Sequence, residues 1–293
     1  MLPVRFLFLL VLTTSSGALA HSGDHYSSAP GWTLELWVTV PLAAVLLLFL
    51  IGRWRLAKRS KLPRPGTWLF VAGWLALAGA LVSPLHEGGE RSFTLHMIEH
   101  ELIMLLATFL LAAGSAAGVL AWGLPATIRN SLGGRWRQPL AVVWRRLTEP
   151  VTATILQALV MWAWHAPALF NQALLSHGWH ITQHVSFVLA SLIFWHAMLD
   201  VRRSGYLVSA LCLFLTSLVE GELGALMSLS ESPWYPAYAA MGMSGIGLDP
   251  VSDQQLAGLI MWIPGGIVHG AVALAFLYRW LSINEDGDAV PSH

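Results

Sequence analysis

Seven apolar stretches recur along this chain, at about 33–52, 66–84, 95–122, 151–170, 178–199, 206–229 and 256–281. Each approaches the roughly 20 apolar residues that a helix needs to cross the hydrocarbon core of a bilayer. Water is absent there, so the backbone must satisfy its own hydrogen bonds, and a segment of this length does so as a helix. The stretches predict an all-α fold: a polytopic membrane protein built as a seven-transmembrane-helix bundle. Composition agrees, with 56% hydrophobic residues, 11% charged residues and a mean hydropathy of +0.62. Those values are foreign to a soluble domain.

Charge sets the expected orientation. The first stretch is followed by "GRWRLAKRSKLPRPG", the third by a segment containing "RNSLGGRWRQPLAVVWRR" and the fifth by "DVRRSG". The alternate connections carry one base, Arg91, with Glu87, Glu90, Glu231, Asp249 and Asp253. Lys and Arg accumulate in cytoplasmic loops, which places the N-terminus outside and the C-terminus in the cytoplasm. The lipid bilayer is a required partner, and no nucleic-acid partner is expected.

Ahead of the bundle, "MLPVRFLFLLVLTTSSGALA" has the form of a cleavable signal peptide. The expected layout is a signal peptide at 1–20, a short extracytoplasmic segment at 21–32, the membrane domain at 33–281 and an acidic cytoplasmic tail at 282–293. Cleavage after Ala20 would leave His21 as the mature N-terminus, with His25 close behind. The one cysteine, Cys212, falls inside the sixth stretch, so the chain has no internal disulfide and no paired-thiol metal motif. Soft-metal chemistry is left to His and Met.

The twelve histidines are unevenly spread. With the topology above, His86, His96, His100, His165, His177, His180 and His184 all map to the outer side. In "HMIEHE" the pair His96 and His100 lies four residues apart, and "HITQH" repeats the spacing at His180 and His184. Such pairs share one face of a helix. Imidazole suits copper, zinc and iron alike, whereas thioether favours Cu(I). Met97, Met104, Met161 and Met261 fall in outer halves of stretches, and Met241 and Met243 in the outer loop. The candidate metal ligands are therefore His96, His100, His165, His180, His184 and Met261. Supporting roles are expected for Glu99, Glu220, Glu222, Asp253, His269, Met241, Met243, His21 and His25. Carboxylates within apolar spans are costly and mark function; Glu220 and Glu222 are expected to orient imidazoles, relay protons or pair with His269. Asp253 is expected to cap the seventh helix, and Pro264, Gly265 and Gly266 to kink or thin it. The bland alternatives are hydrogen-bonded core histidines, packing methionines and simple capping.

Three passages, "LHMIEHELIML", "WAWHAPALFNQAL" and "DQQLAGLIMWIPGG", with "SPL" at 83–85 and "HITQH", carry a resemblance to the CtaG family of cytochrome c oxidase assembly factors, seven-helix bacterial membrane proteins associated with caa-type oxidases. It covers about residues 32–282. The matching positions are His96, His100, His165, His180, His184 and Asp253. This chain departs from the family pattern at Glu99, where the pattern has Gln, and at "ATFLLAAG", where it has prolines. The resemblance implies a role in maturing a haem–copper oxidase, location in the bacterial cytoplasmic membrane and no catalytic reaction, so no enzyme.

The reading that joins residues and resemblance is transient copper handling at an extracytoplasmic His/Met site. The implied partners are an oxidase subunit and copper chaperones. Two alternatives stay open at this stage. One is a b-type haem protein carrying electrons between facing histidines; the other is a metal or proton transporter using Glu220, Glu222 and His269.

Overall fold

The computed structural model describes residues 30–59, 66–134 and 136–288; His21, His25 and the leader lie outside them. In chain order the helices are α1 (Leu36–Ala57), α2 (Gly66–Val82), α3 (Pro84–Gly89), α4 (Phe93–Ala113), α5 (Ala117–Gly123), α6 (Ala126–Gly133) and α7 (Arg137–Leu147). Then follow α8 (Pro150–His165), α9 (Pro167–Leu175), α10 (His177–Leu199), α11 (Val201–Ser204), α12 (Tyr206–Leu229), α13 (Pro236–Met241) and α14 (Pro250–Asp288). Among the described residues the fold is all-helical.

Five helices (α1, α4, α10, α12 and the stretch Pro250–Asn284 of α14) are long and apolar enough to cross a membrane. The other expected spans are modified. The third apolar run stops at Gly114 and resumes as α5, with Ser115 in the left-handed region at φ 47°. The fourth run breaks at Ala166, because Pro167 disfavours helical geometry in the residue before it. There α8 and α9 meet at 70°, and only as a bent pair do they make a sixth span. The second run, α2, has 17 residues. At the far end, α14 continues past 281 to Asp288, and it runs through Pro264 as one element.

Packing brings the chemistry-bearing helices together. α14 lies along α12 and also touches α4, while α10 packs against α8, α4 and α9. The α12–α14 approach depends on glycine: a Cβ on Gly258 would stand 2.6 Å from the Gly224 carbonyl oxygen. Apolar side chains lock the centre. Phe93 and Phe170 pack edge to face at 5.3 Å between ring centroids, and Phe170 meets Tyr235 at 4.1 Å. Tyr235 in turn donates to the carbonyl of His165 at 3.0 Å.

The start of α14 contradicts one expectation. Asp253 does not cap its own helix; Asp249 does, accepting from the amides of Val251 and Ser252, both at 3.1 Å. Pro250 follows as the first helical residue, where a missing N–H costs nothing. Asp253 is instead buried and turned onto the N-terminus of α4. Its Oδ2 accepts from the Phe93 amide at 2.7 Å, and its Oδ1 from Ser92 Oγ at 2.9 Å and the Thr94 amide at 3.2 Å. A carboxylate on unpaired helix-end amides is favourable. The contact fixes the "HMIEHE" helix to α14.

Candidate metal centre

α4 presents His96, Glu99 and His100 on one face, as the spacing requires. Facing them are His180 and His184 from α10 and His86 from α3. Glu99 is the junction. Its Oε1 stands 2.6 Å from His86 Nδ1 and 3.2 Å from His184 Nε2, and all three side chains are buried. The rings are packed on one another: centroids are 5.1 Å apart for His86 and His180, 4.4 Å for His180 and His184, 5.4 Å for His100 and His184, and 4.2 Å for His96 and His100. His180 is half-buried and His86 and His184 fully so. The cluster thus leads inward from the end of the bundle.

Trp37 of α1 closes one side, with its ring 6.2–6.5 Å from those of His86, His180 and His184. Its indole N–H donates to the carboxylate of Glu35. Beside it a cavity of about 90 Å³ runs between α1, α2 and α10, and His184 is the polar residue in a lining that includes Val38, Leu42, Leu77 and Val188.

His165 joins from the end of α8. It shares Phe170 with His96 (6.3 and 5.1 Å between centroids) and Phe187 with His100 (6.5 and 4.7 Å). His165 Nδ1 donates to the Met161 carbonyl at 2.8 Å, and His184 Nδ1 to the His180 carbonyl at 3.1 Å. A carbonyl only accepts, so the first bond fixes the His165 tautomer and leaves its Nε2 to present a lone pair, whereas Nε2 of His184 is turned to Glu99 Oε1, which likewise only accepts. Helical geometry supplies both bonds from the carbonyl one turn earlier.

His86 lies outside the membrane-spanning helices. Burial disfavours its imidazolium, but the hydrogen bond and charge of Glu99, with the charges of Glu90 and Glu35, outweigh that and raise it above the ordinary histidine value.

The donor set fits a metal ion. The ligand atoms of His86, His180 and His184 all lie within 4.8 Å of one another. Ligands about 2.0–2.1 Å from a tetrahedral ion stand about 3.3 Å apart, so small rotations of the rings would close the site. His96 Nε2, both nitrogens of His100, His165 Nε2 and Glu99 Oε2 are buried without a hydrogen-bond partner. Such orphans are rare in native interiors and require an explanation.

Of the expected ligands, His96, His100, His180 and His184 gather around Glu99, and His165 borders them. Met261 is buried in the apolar core it shares with Met97 and Met161. Met241 and Met243 are exposed. Glu220 is buried beside His269, whereas Glu222 faces outward from α12 and takes no part in orienting an imidazole. His86 is the member the ligand set lacked. Its signal was the short "SPLHEGG" helix, whose Ser83 cap and following Pro84 fold the chain back over the start of α4.

A family model described as cytochrome c oxidase caa3 assembly factor matches residues 47–282. Two uncharacterized proteins, one from Mycobacterium bovis and one from Mycobacterium tuberculosis, are each 24% identical over 226 residues, covering 71% of this chain. The aligned part is 33% of each, so the chain spans about a third of the length of these curated relatives. No solved structure gives a significant match.

Proposed function

Because the chain belongs to the cytochrome c oxidase caa3 assembly factor family, we propose that it matures a haem–copper oxidase by holding copper transiently at the histidine cluster and passing it to an oxidase subunit alongside. The observation that carries this reading is Glu99, held between His86 at 2.6 Å and His184 at 3.2 Å, with unpartnered imidazole nitrogens around it. One carboxylate offsets one charge of a bound copper ion, and neutral imidazoles release it more readily than a closed thiolate site would.

The orientation follows from charge. Arg55 at the end of α1 bonds the carbonyls of Trp122 and Leu124, each at 2.8 Å, and Arg203 bonds the Arg145 carbonyl at 2.6 Å. These bases belong to the connections opposite the histidine end, which the excess of Lys and Arg assigns to the cytoplasm. Copper would then enter from the extracytoplasmic side, past half-buried His180. With α2 and the bent α8–α9 pair counted as spans, the bundle has seven crossings.

Close ring packing favours an ion over haem, because a macrocycle has to fit between its axial imidazoles. Copper and haem counted together in protein purified after copper supplementation test the reading. Near-stoichiometric copper without haem, lost on His180→Ala/His184→Ala together with oxidase copper content in cells, is the expected result. Copper unchanged by that pair of substitutions, or stoichiometric haem, would overturn it.

A further inference from the structure

Opposite the histidine end, the bundle closes on a surface that copper handling leaves unused. All but Arg5, Arg91 and Arg279 of the 16 Lys and Arg residues fall in the connections 52–65, 124–149 and 200–205. The acids there are Glu149 and Asp200. Glu149 is engaged at the start of α8, where it accepts from the Thr152 amide at 2.8 Å. This end is therefore strongly positive whichever way the chain lies in the bilayer.

Two features give the charge a definite shape. The first is Trp122, in the last turn of α5. The guanidiniums of Arg59 and Arg129 lie over its ring, 4.6 and 4.4 Å from the centroid, so the two charges stand no more than about 9 Å apart. The second is the pair α6 and α7, in which no residue is buried. Half-buried Leu140, Trp144 and Leu147 recur at spacings of four and three and turn α7 onto the bundle. The Trp144 ring meets that of His196 at 5.3 Å, and Arg203 holds the same end of the helix by the Arg145 carbonyl. The other side of α7 presents Val142, Val143, Arg145 and Arg146, all exposed. Ile128 and Trp136 add apolar surface, 41% and 48% exposed. No carboxylate among the described residues pairs with Arg59, Arg129, Arg137, Arg145 or Arg146.

We propose that this face docks on the phosphates of anionic phospholipid headgroups. Arg129, Arg137, Arg145 and Arg146 would take the phosphates, with Trp136 and Val142 seated between the headgroups. Position supports this occupant: Thr148 and Glu149 alone separate α7 from α8, so α7 is held at the membrane surface. Charge supports it too. Basic segments beside a membrane helix are drawn to anionic lipid, and each base near the surface strengthens binding about fivefold. Exposed apolar residues among the arginines are costly in water, whereas a helix lying in the interface sinks such residues into the headgroup boundary. Guanidinium meets phosphate with two parallel hydrogen bonds, and indole favours the same depth.

Phosphatidylglycerol and phosphatidylcholine with the same acyl chains are the probes, added to the full-length protein in a neutral detergent. Native mass spectrometry counts the lipid retained, and a thermal melt records the stabilisation. Wild type should retain phosphatidylglycerol over phosphatidylcholine. Arg137→Gln/Arg145→Gln/Arg146→Gln should weaken that retention about 100-fold, and raising NaCl from about 0.05 to 0.5 M should weaken it in wild type. Equal retention of the two lipids by wild type, or unchanged phosphatidylglycerol in a monodisperse triple variant, overturns the proposal. Inorganic phosphate that gives the same gain in melting temperature at the same concentration makes the face a soluble-anion site and overturns it as well. Should the triple variant not stay monodisperse, the salt titration of wild type decides: phosphatidylglycerol lost with salt supports the proposal, and retention indifferent to salt overturns it.

Discussion

Replacing Glu99 by Gln is the most informative single change in the histidine cluster. The amide keeps the shape of the side chain and can be turned to serve both neighbours, its oxygen accepting from His86 and its NH₂ donating to the Nε2 lone pair of His184. The fold therefore has no reason to fail. What the substitution removes is one negative charge. An ion on His184 Nε2 would sit about 4 Å from the carboxylate, given the 3.2 Å between Nε2 and Oε1. At that distance two unit charges attract by about 4 kcal/mol at an effective dielectric constant of about 20, an upper limit because the carboxylate must give up its hydrogen bonds to serve the ion. Changes to groups that orient metal ligands typically lower affinity 10–100-fold, or about 1.4–2.8 kcal/mol. The expected result is a Cu(I) affinity at least tenfold weaker, with an unchanged melting temperature in the apo protein. Competition against a chromogenic Cu(I) chelator measures the first and a thermal melt in detergent the second. Wild-type affinity in a folded Glu99→Gln protein would refute the electrostatic role given to Glu99.

Other substitutions test the scaffold that positions the cluster. Asp253→Asn weakens three hydrogen bonds at the start of α4 and should cost about 1–2 kcal/mol, read as a lowered melting temperature. Asp249→Asn, on an exposed cap, should cost clearly less. Gly258→Val forces a Cβ to within 2.6 Å of the Gly224 carbonyl and should abolish the monodisperse protein, whereas Gly118→Ala, with open space around it, should be neutral. Glu149 caps α8, and its hydrogen bonds to Thr152 hold its carboxyl below the ordinary value. That stabilisation is present above the unfolded value and disappears as pH falls through the folded one. Between about pH 5 and 3, wild type should lose slightly more stability than Glu149→Gln.

The sequence carried the class of fold and most of the site because both rest on short-range periodicity. Apolar runs near 20 residues announce membrane helices, and two histidine pairs at a spacing of four announce two facing stripes. Prolines and glycines decided where the runs break, and these were readable only in part. Pro167 ends α8 at Ala166, but the bend of 70° depends on how α9 packs against α10. Asp253 shows the limit most clearly. The tripeptide before it, Pro250-Val251-Ser252, already had a cap in Asp249, so a second acid in the first turn was free to serve another helix. Which helix it serves is a fact about packing across 160 residues, and no local pattern encodes it. The same holds for His86, which reaches the cluster only because α3 folds over α4.

The "HMIEHE" helix also explains why two adjacent acids have different surroundings. Glu99 turns to the imidazoles and Glu101 to α12 and α14, and directly after Glu101 the helix widens into a π-helical segment over Leu102–Ala107. Such segments displace backbone carbonyls from regular pairing and recur at functional sites. Here the Met104 carbonyl accepts from the Thr108 hydroxyl at 2.7 Å and from Trp195 at 2.8 Å, so the irregular backbone is satisfied inside the protein, as a membrane demands. Through Trp195 the same carbonyl steadies His269. A Trp195→Phe substitution keeps the ring and removes the N–H, leaving a buried carbonyl one donor short. Because Thr108 still serves that carbonyl, the change should lower stability by about 0.5–1.5 kcal/mol while leaving copper at the histidine cluster intact. Loss of that copper in a protein that still melts cooperatively would mean that the two faces of α4 are coupled and not, as their opposite directions imply, independent.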